Sequence, residues 1–364
     1  MIQSVAEALE RQDYLEAARL LQELPPSDPW VILYQNQLQE AKGEWEVAEE
    51  AYRQLLRMDH GRKLTTEARQ GLQRIEILRQ AQRQQALDQA SAIPGSQELG
   101  MLVLEAIAAE AKTEAAKNFA RIMKLEPYLT RLLLPSRGWR LYRSAPLAEI
   151  QVYGQELREA GIPLFWLPLA EIQQIEVLEV SHFAAVTPKA AVICTHRQKP
   201  EPFGFEFEWS EVSQRVEGLV PIFELVVEQD RQRKIQRKEQ IQDHAQFCDL
   251  HLPSRNTILR IYHGAYQFQK GISLMPSQRS GQTIDQGTSW ARWQGLQALF
   301  DRYLPTAPVW SEFTPFGESV LDQTDLLDRI HPHIKLLRRQ DSYWDQAFQL
   351  YSCLAFCHAS GLTR

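Results

Sequence analysis

The sequence predicts a mixed fold: an all-helical N-terminal part built of repeats, a small α+β domain, and a mostly helical C-terminal region. Three observations lead there. Residues 1–134 are dominated by Ala, Leu, Glu, Gln and Arg, the strong helix formers, with apolar residues recurring at i, i+3, i+4 and i+7. From "LLLPSRGWRLYRSAPLAE" to about residue 228, β-branched and aromatic residues rise. Beyond 229, helical patterns return around a Gly-, Ser- and Gln-rich stretch near 276–289, which the composition predicts to be a mobile loop. The 364 residues thus divide into domains 1–134, 135–228 and 229–364, in keeping with roughly 100–200 residues per domain.

In the first part, breaks fall at "LPPSDP" (24–29), "DHG" (59–61), "IPGS" (93–96) and "EP" (126–127), the Pro and Gly punctuation of short helix–helix turns. Residues 61–92 read as one long polar helix or a broken pair. In the second part, "GWRLYRS" (138–144) and "IPLFWLP" (162–168) predict strands flanking an amphipathic helix over 147–161. "AAVICT" (190–195) and "FGFEFEW" (203–209) predict two more strands; the latter sets Phe203, Phe205, Phe207 and Trp209 against Glu206 and Glu208. The third part predicts a charged helix over 228–252, a hairpin over 256–274 around His263-Gly264, and helices at 290–304, 316–330 and 341–359.

Bulk properties narrow the function. A net charge of −6 and a pI near 5.9 argue against a general nucleic-acid binder, which carries a basic domain or stripe. No apolar run reaches the roughly 18 residues a spanning helix needs, which leaves peripheral membrane association open. The N-terminal stretch is amphipathic and acidic from Glu7 onward, unlike a signal peptide. Four cysteines in so long a chain make no disulfide framework, and a reducing, cytoplasmic compartment is expected.

A small residue followed four positions on by a large one recurs: Ala17 with Leu21, Ala48 with Tyr52, and Ala115 with Phe119. Ala17 and Ala48 are 31 residues apart, and Ala48 and Ala115 are 67 apart, against a tetratricopeptide period of about 34. Gly43 suits the turn between the helices of one unit, and Pro127 the end of a second helix. On these residues, 1–134 resembles the tetratricopeptide-repeat (TPR) family, although Ile32, Gln35, Asn36 and Gln39 stand where that family has its first-helix Trp, Leu-Gly and Tyr. The resemblance implies stacked helix pairs that hold a protein or peptide client in a concave groove. Asn36, Arg53 and Lys117 are then the candidate groove contacts. With "LPSRGWRLYRS" and "YGQELREAGIPLFWLP", the remainder resembles a region that accompanies TPR units in cyanobacterial proteins, which implies a cytoplasmic or thylakoid-peripheral address.

Chemistry is sparse. His244, Cys248 and His251 share a face if 231–251 is helical, and Cys353 and Cys357 share one on a second helix with His358 alongside. Together they would form a Cys/His metal site. Core packing competes with that reading, since free Cys is often simply buried, so no metal is favoured. Asp322 with Asp325 and Glu206 with Glu208 are candidate acid/base pairs, or solvated faces. "RQRKIQRKEQ" (231–240) is a candidate phosphate or membrane contact diluted by acids, and "HPH" (331–333) a candidate metal pair or a helix boundary. Trp290, Trp293, Trp310, Phe313 and Phe316 are expected in the core, with a subset available as a binding patch. Nucleotide fingerprints and the Gly-x-Ser-x-Gly elbow are absent from the sequence.

The expectation is therefore a non-enzymatic adaptor or assembly factor without a cofactor. It binds a protein client through the helical array, with no nucleic acid and an open oligomeric state. Two alternatives remain: a metal- or small-molecule-binding sensor or enzyme in the C-terminal half, and a structural subunit of an obligate complex.

Overall fold

Asp13 and Asp28 punctuate the first helices. The Asp13 carboxylate accepts from the Glu16 backbone N–H at 3.1 Å, and that of Asp28 from Trp30 at 2.8 Å, each satisfying a donor that the start of a helix leaves open. The computed structural model describes residues 1–58, 61–229, 235–273, 289–336, 338 and 341–363. The predicted loop at 276–289 thus lies outside the described residues, but for Ser289, as does 231–234 of the basic run. Two compact units emerge, Met1–Ala92 and Ile93–Arg364, where the sequence suggested boundaries at 134 and 228.

The first unit is all helix: α1 (Ile2–Glu10), α2 (Tyr14–Gln22), α3 (Pro29–Ala41), α4 (Trp45–Arg57) and α5 (Arg62–Ser91). Gly43, at φ +82°, makes the turn from α3 into α4, a conformation that costs residues with a Cβ. Helices α1 and α2 pack as a hairpin, as do α3 and α4. Helix α3 then lies on both α1 and α2, and α5 on both α3 and α4. Ala17 and Ala48 are fully buried, and their partners Leu21 and Tyr52 fill the two small cores. The 61–92 stretch is one helix, anchored by Leu64, Ala68, Gly71 and Ile75; beyond Ile75 no residue of α5 is buried.

Gly71 is the tightest point. A Cβ there would sit 2.5 Å from the Tyr52 ring, so Gly lets α5 seat against α4. The Tyr52 hydroxyl donates to Glu40 at 2.9 Å, and Arg74 on α5 donates twice to the same carboxylate at 2.8 and 3.0 Å. Arg79 reaches Glu49 and, at 3.1 Å, Glu46 on α4.

The second unit mixes both element types: β1 (Leu99–Leu104), α6 (Lys112–Met123), α7 (Pro127–Leu133), β2 (Arg140–Pro146), α8 (Leu147–Glu159), β3 (Leu164–Pro168), α9 (Leu169–Gln173), β4 (Glu176–Ala185), β5 (Ala190–His196) and β6 (Lys199–Phe207). Then follow β7 (Gln214–Gln229), β8 (Ile235–Leu252), β9 (Thr257–Tyr262), α10 (Ser289–Tyr303), β10 (Val309–Trp310), α11 (Phe313–Val320), α12 (Thr324–Leu327) and α13 (Trp344–Ala359). An antiparallel sheet of three strands runs β2-β1-β3, and a sheet of seven runs β10-β7-β8-β9-β4-β5-β6. Parallel pairing joins β4 to β9 and β10 to β7.

These elements stack in layers. Helices α6 and α8 cover one face of the small sheet through Phe119, Ile150 and Leu157. Its other face shares a core with α9, α11, α13 and one face of the large sheet, through Phe165, Phe316, Phe348 and Phe247. The opposite face of the large sheet packs on α10 through Leu250, Ile261, Leu296 and Phe300. Helix α13 is buried on nearly every side from Ala347 to Cys357, as its apolar composition demands.

Four sequence expectations are corrected. "LGMLVL" (99–104) is the central strand of the small sheet rather than part of a helix, being apolar throughout as a strand buried on both faces requires. In place of the 228–252 helix, 228–229 end β7 and 235–252 form strand β8: the Gln-, Arg- and Lys-rich sequence favours helix, but pairing to β7 and β9 and burial of both faces from Phe247 to Leu252 override that preference. The 256–274 hairpin is absent among the described residues; β9 runs from β8 to β4, and Gln267 and Ile272 donate to Ser181 and Phe183 of β4. The 316–330 helix is two short ones, α11 and α12. No described helix is long and apolar enough to cross a membrane.

Replacing Gly71 by Ala should lower the unfolding free energy of the first unit. Overpacking against Tyr52 costs about 1–3 kcal/mol, against roughly 1 kcal/mol gained in helix propensity. Chemical denaturation followed by helical circular dichroism checks the sign; a stabilised variant would contradict the packing.

Candidate functional site

The residues proposed from the sequence scatter. Asn36 faces inward on α3, 4% exposed, so it offers a groove no side chain. Arg53 is half-exposed on α4 and donates to Glu49 at 2.5 Å. Lys117 pairs with Glu114 at 3.1 Å on α6, in the second unit rather than on the array. Ala115 and Phe119 pack α6 against the small sheet, and Pro127 opens α7 instead of closing a repeat. The shared Ala-x3-large pattern groups Ala115 and Phe119 with Ala48 and Tyr52 in sequence; β1, lying between, sends them to another layer.

The candidate metal ligands His244, Cys248, Cys353 and Cys357 are likewise divided. Cys248 belongs to the core between the large sheet and α10, whereas Cys353 and Cys357 belong to the core on the other side of that sheet. His244, four residues before Cys248, is exposed on β8. Burial raises all three of these thiols, as it does that of Cys194, pushed up to about 12. Among the described residues, no group of three or more His, Cys, Asp or Glu is arranged to hold a metal ion. Trp293, Phe313 and Phe316 are buried as expected; Trp290 is 56% exposed and lines a hollow of about 470 Å³ with Arg215, Glu217 and Asp301.

The pleat of the large sheet assembles a constellation the helix reading had hidden. Asp249 and His251 on β8 and Arg260 on β9 all point at α13 and are essentially unexposed. Arg260 donates from Nε to Asp249 Oδ1 at 3.0 Å and from Nη2 to Oδ2 at 2.7 Å. Ser352 on α13 donates to Asp249 Oδ2 at 2.6 Å. His251 Nε2 lies 3.0 Å from Ser352 Oγ, and its Nδ1 lies 2.9 Å from Gln214 Nε2. Trp310 can only donate, so its 2.8 Å contact fixes Gln214 Oε1 as acceptor and leaves the Gln214 amide nitrogen to donate to Nδ1. His251 is therefore neutral with its proton on Nε2, and burial holds its pKa down at about 4.

Ser, His and Asp in contact suggest a nucleophile, but the order is wrong. A triad runs carboxylate–imidazole–hydroxyl, with the imidazole accepting the hydroxyl proton. Here the hydroxyl donates to the carboxylate and the imidazole donates to the hydroxyl. Ser352 is also closed off from any substrate. The network is a clamp between sheet and helix.

Its outer end shapes a cleft. Arg260 Nη1 donates to Gln349 Oε1 and to the Pro332 carbonyl, both at 2.7 Å, and approaches the His333 carbonyl at 3.4 Å. The residues after α12 are thereby held as one wall of a cavity of about 610 Å³. The β5–β6 turn supplies His196 and Arg197, the end of α12 leads to Arg329, and Ile172, Ile175 and Val177 line the interior. The His331 and His333 rings stand 4.6 Å apart at 66°. Burial, then Arg260, His331, Arg197 and His196, depress His333 to about 3; burial and Arg197 lower His331. The "HPH" motif is thus a cleft wall rather than only a boundary.

Compared with protein-family models, curated proteins and solved structures, the chain gives no match.

Two outcomes follow from the clamp. Asp249→Asn leaves Arg260 buried without its counter-charge and should cost about 3–5 kcal/mol, read as a fall in denaturant midpoint. His251 titrates near pH 6.5 in the unfolded chain and near 4 in the folded one. Between those values the unfolded chain holds the extra proton. Stability should fall as pH falls through that window, by up to about 1.4 kcal/mol per pH unit. Comparing His251→Gln with the parent between pH 7 and pH 4.5 isolates this contribution, and identical slopes would refute it.

Proposed function

We propose that the protein is a non-enzymatic adaptor that docks a protein or peptide client on its N-terminal helical unit, which is TPR-like in construction. What supports this reading is the order in which the helices pack. Each helix that follows a hairpin lies on both helices of that hairpin, with a fully buried alanine, Ala17 or Ala48, in the second helix of each. That arrangement is how helical repeats stack into a continuous surface, since no single pair buries its apolar face alone. The array comprises two hairpins closed by the long helix α5, with Tyr52 of α4 over Gly71 and Glu40 of α3 paired with Arg74 joining α5 to both helices of the second hairpin. Exposed apolar residues on it, Leu15 and Val47 on the second helices and Ile77 on α5, are suited to a partner.

The test uses the full chain as bait in its native lysate, with purified Met1–Ala92 added in excess as competitor. The proposal expects a specific partner that the competitor displaces. A partner retained in full despite the competitor, or none recovered above a mock bait, would count against it.

A further inference from the structure

The clamp borders a cavity of about 610 Å³ in the second unit. Its walls come from four separate parts of the second unit: the α9–β4 connection, the β5–β6 turn, the segment after α12, and Gln349 of α13. Two guanidinium groups, of Arg197 and Arg329, border it, and neither has a hydrogen-bond or ion-pair partner among the described residues. Among the described residues, several other arginines of this unit are engaged: Arg143 with Glu149, Arg215 with Asp301, Arg255 with Glu211, Arg338 with Asp345. Two cations without a partner among the described residues, at one cavity in a chain of net charge −6, are a local departure from its charge balance.

The histidines add donors of fixed direction. The backbone N–H of Gln198 donates to His196 Nδ1 at 3.2 Å, and that of His333 donates to His331 Nδ1 at 3.1 Å. Each neutral ring must then carry its proton on Nε2, which makes both rings donors as well. Glu176 is the one carboxylate lining the cavity, and the nearby Glu179 is paired with Lys335 at 3.3 Å. Two guanidiniums and two imidazole N–H groups against one carboxylate leave an excess of positive charge and of donors. Guanidinium groups match the oxygens of a phosphate in charge and geometry. A cavity of this size takes a small organic ligand, and Ile172, Ile175 and Val177 give its non-polar part a place to lie.

We propose that this cleft binds a phosphate group, free or carried by a small organic monoester, through Arg197, Arg329 and the Nε2 donors of His196 and His331. The buried clamp is what presents the wall: Arg260 holds the Pro332 carbonyl from behind, so His331 and His333 keep their places without a ligand.

The experiment titrates the full chain with inorganic phosphate and with phenyl phosphate by calorimetry, at constant ionic strength with chloride. Saturable one-to-one binding is expected, and Arg197→Gln combined with Arg329→Gln should weaken it at least about tenfold, as loss of hydrogen bonds to a charged group implies. Arg121→Gln on α6 serves as the charge control and should leave affinity within about twofold. Both variant arginines are exposed, and an unchanged thermal midpoint verifies the fold. Tighter binding of phenyl phosphate would identify a monoester as the ligand class, and equal affinities free phosphate. Absence of saturable binding, or undiminished binding by the double variant, would overturn the proposal.

Discussion

The ion pair between Arg260 and Asp249 organises the second unit. Two opposite charges on neighbouring strands are withdrawn from water, and such burial is tolerable only when every remaining donor and acceptor is satisfied. Asp249 accepts from Arg260 and Ser352, and the Nη1 donors of Arg260 reach Gln349 and a backbone carbonyl after α12. Three elements distant in sequence, the β8–β9 pair, helix α13 and the segment 329–333, are fixed by one side chain. Hydrophobic packing around α13 supplies the bulk of the burial, but it is non-directional. The hydrogen bonds of Arg260 specify which turn of α13 faces which strand.

The two units solve the same problem differently. The helical unit joins its last helix through ion pairs at the rim and a ring seated on a glycine, and no residue of α5 beyond Ile75 is buried. The mixed unit buries its polar contacts in the middle layer. The first strategy suits a surface that meets a partner, and the second suits a frame that keeps a cleft open.

Local regularities were legible in the sequence, and long-range pairing was not. The strands around Trp166 and Ile193 and the helix at 147–161 follow from periodicity and turn residues, whereas 61–92, open as one helix or two from its sequence, is one. Ala17 and Ala48 were readable because two near-equivalent helices repeat one spacing. Ala115 shares that spacing by coincidence of helix sequence, and only β1 between them, an apolar run that also suits a helix, removes it to another layer. Strand β8 is not legible in the sequence, because Gln, Arg and Lys favour helix and only its pairing to β7 and β9 makes it a strand. A helical reading conceals the clamp: on a helix Asp249 and His251 diverge, whereas on a strand they share a face. His331 and His333 were visible as a motif, but the arginine that shapes their wall lies some seventy residues earlier.

All four cysteines are buried, and burial lifts every thiol away from the reactive thiolate form. They lie in two layers: Cys194 and Cys248 beneath α10, Cys353 and Cys357 within the layer of α13. The native thiols therefore keep time on the opening of each layer. A reagent that alkylates only thiolate in water reads how often α10 lifts from the sheet through one pair, and how often the central helix lets go through the other.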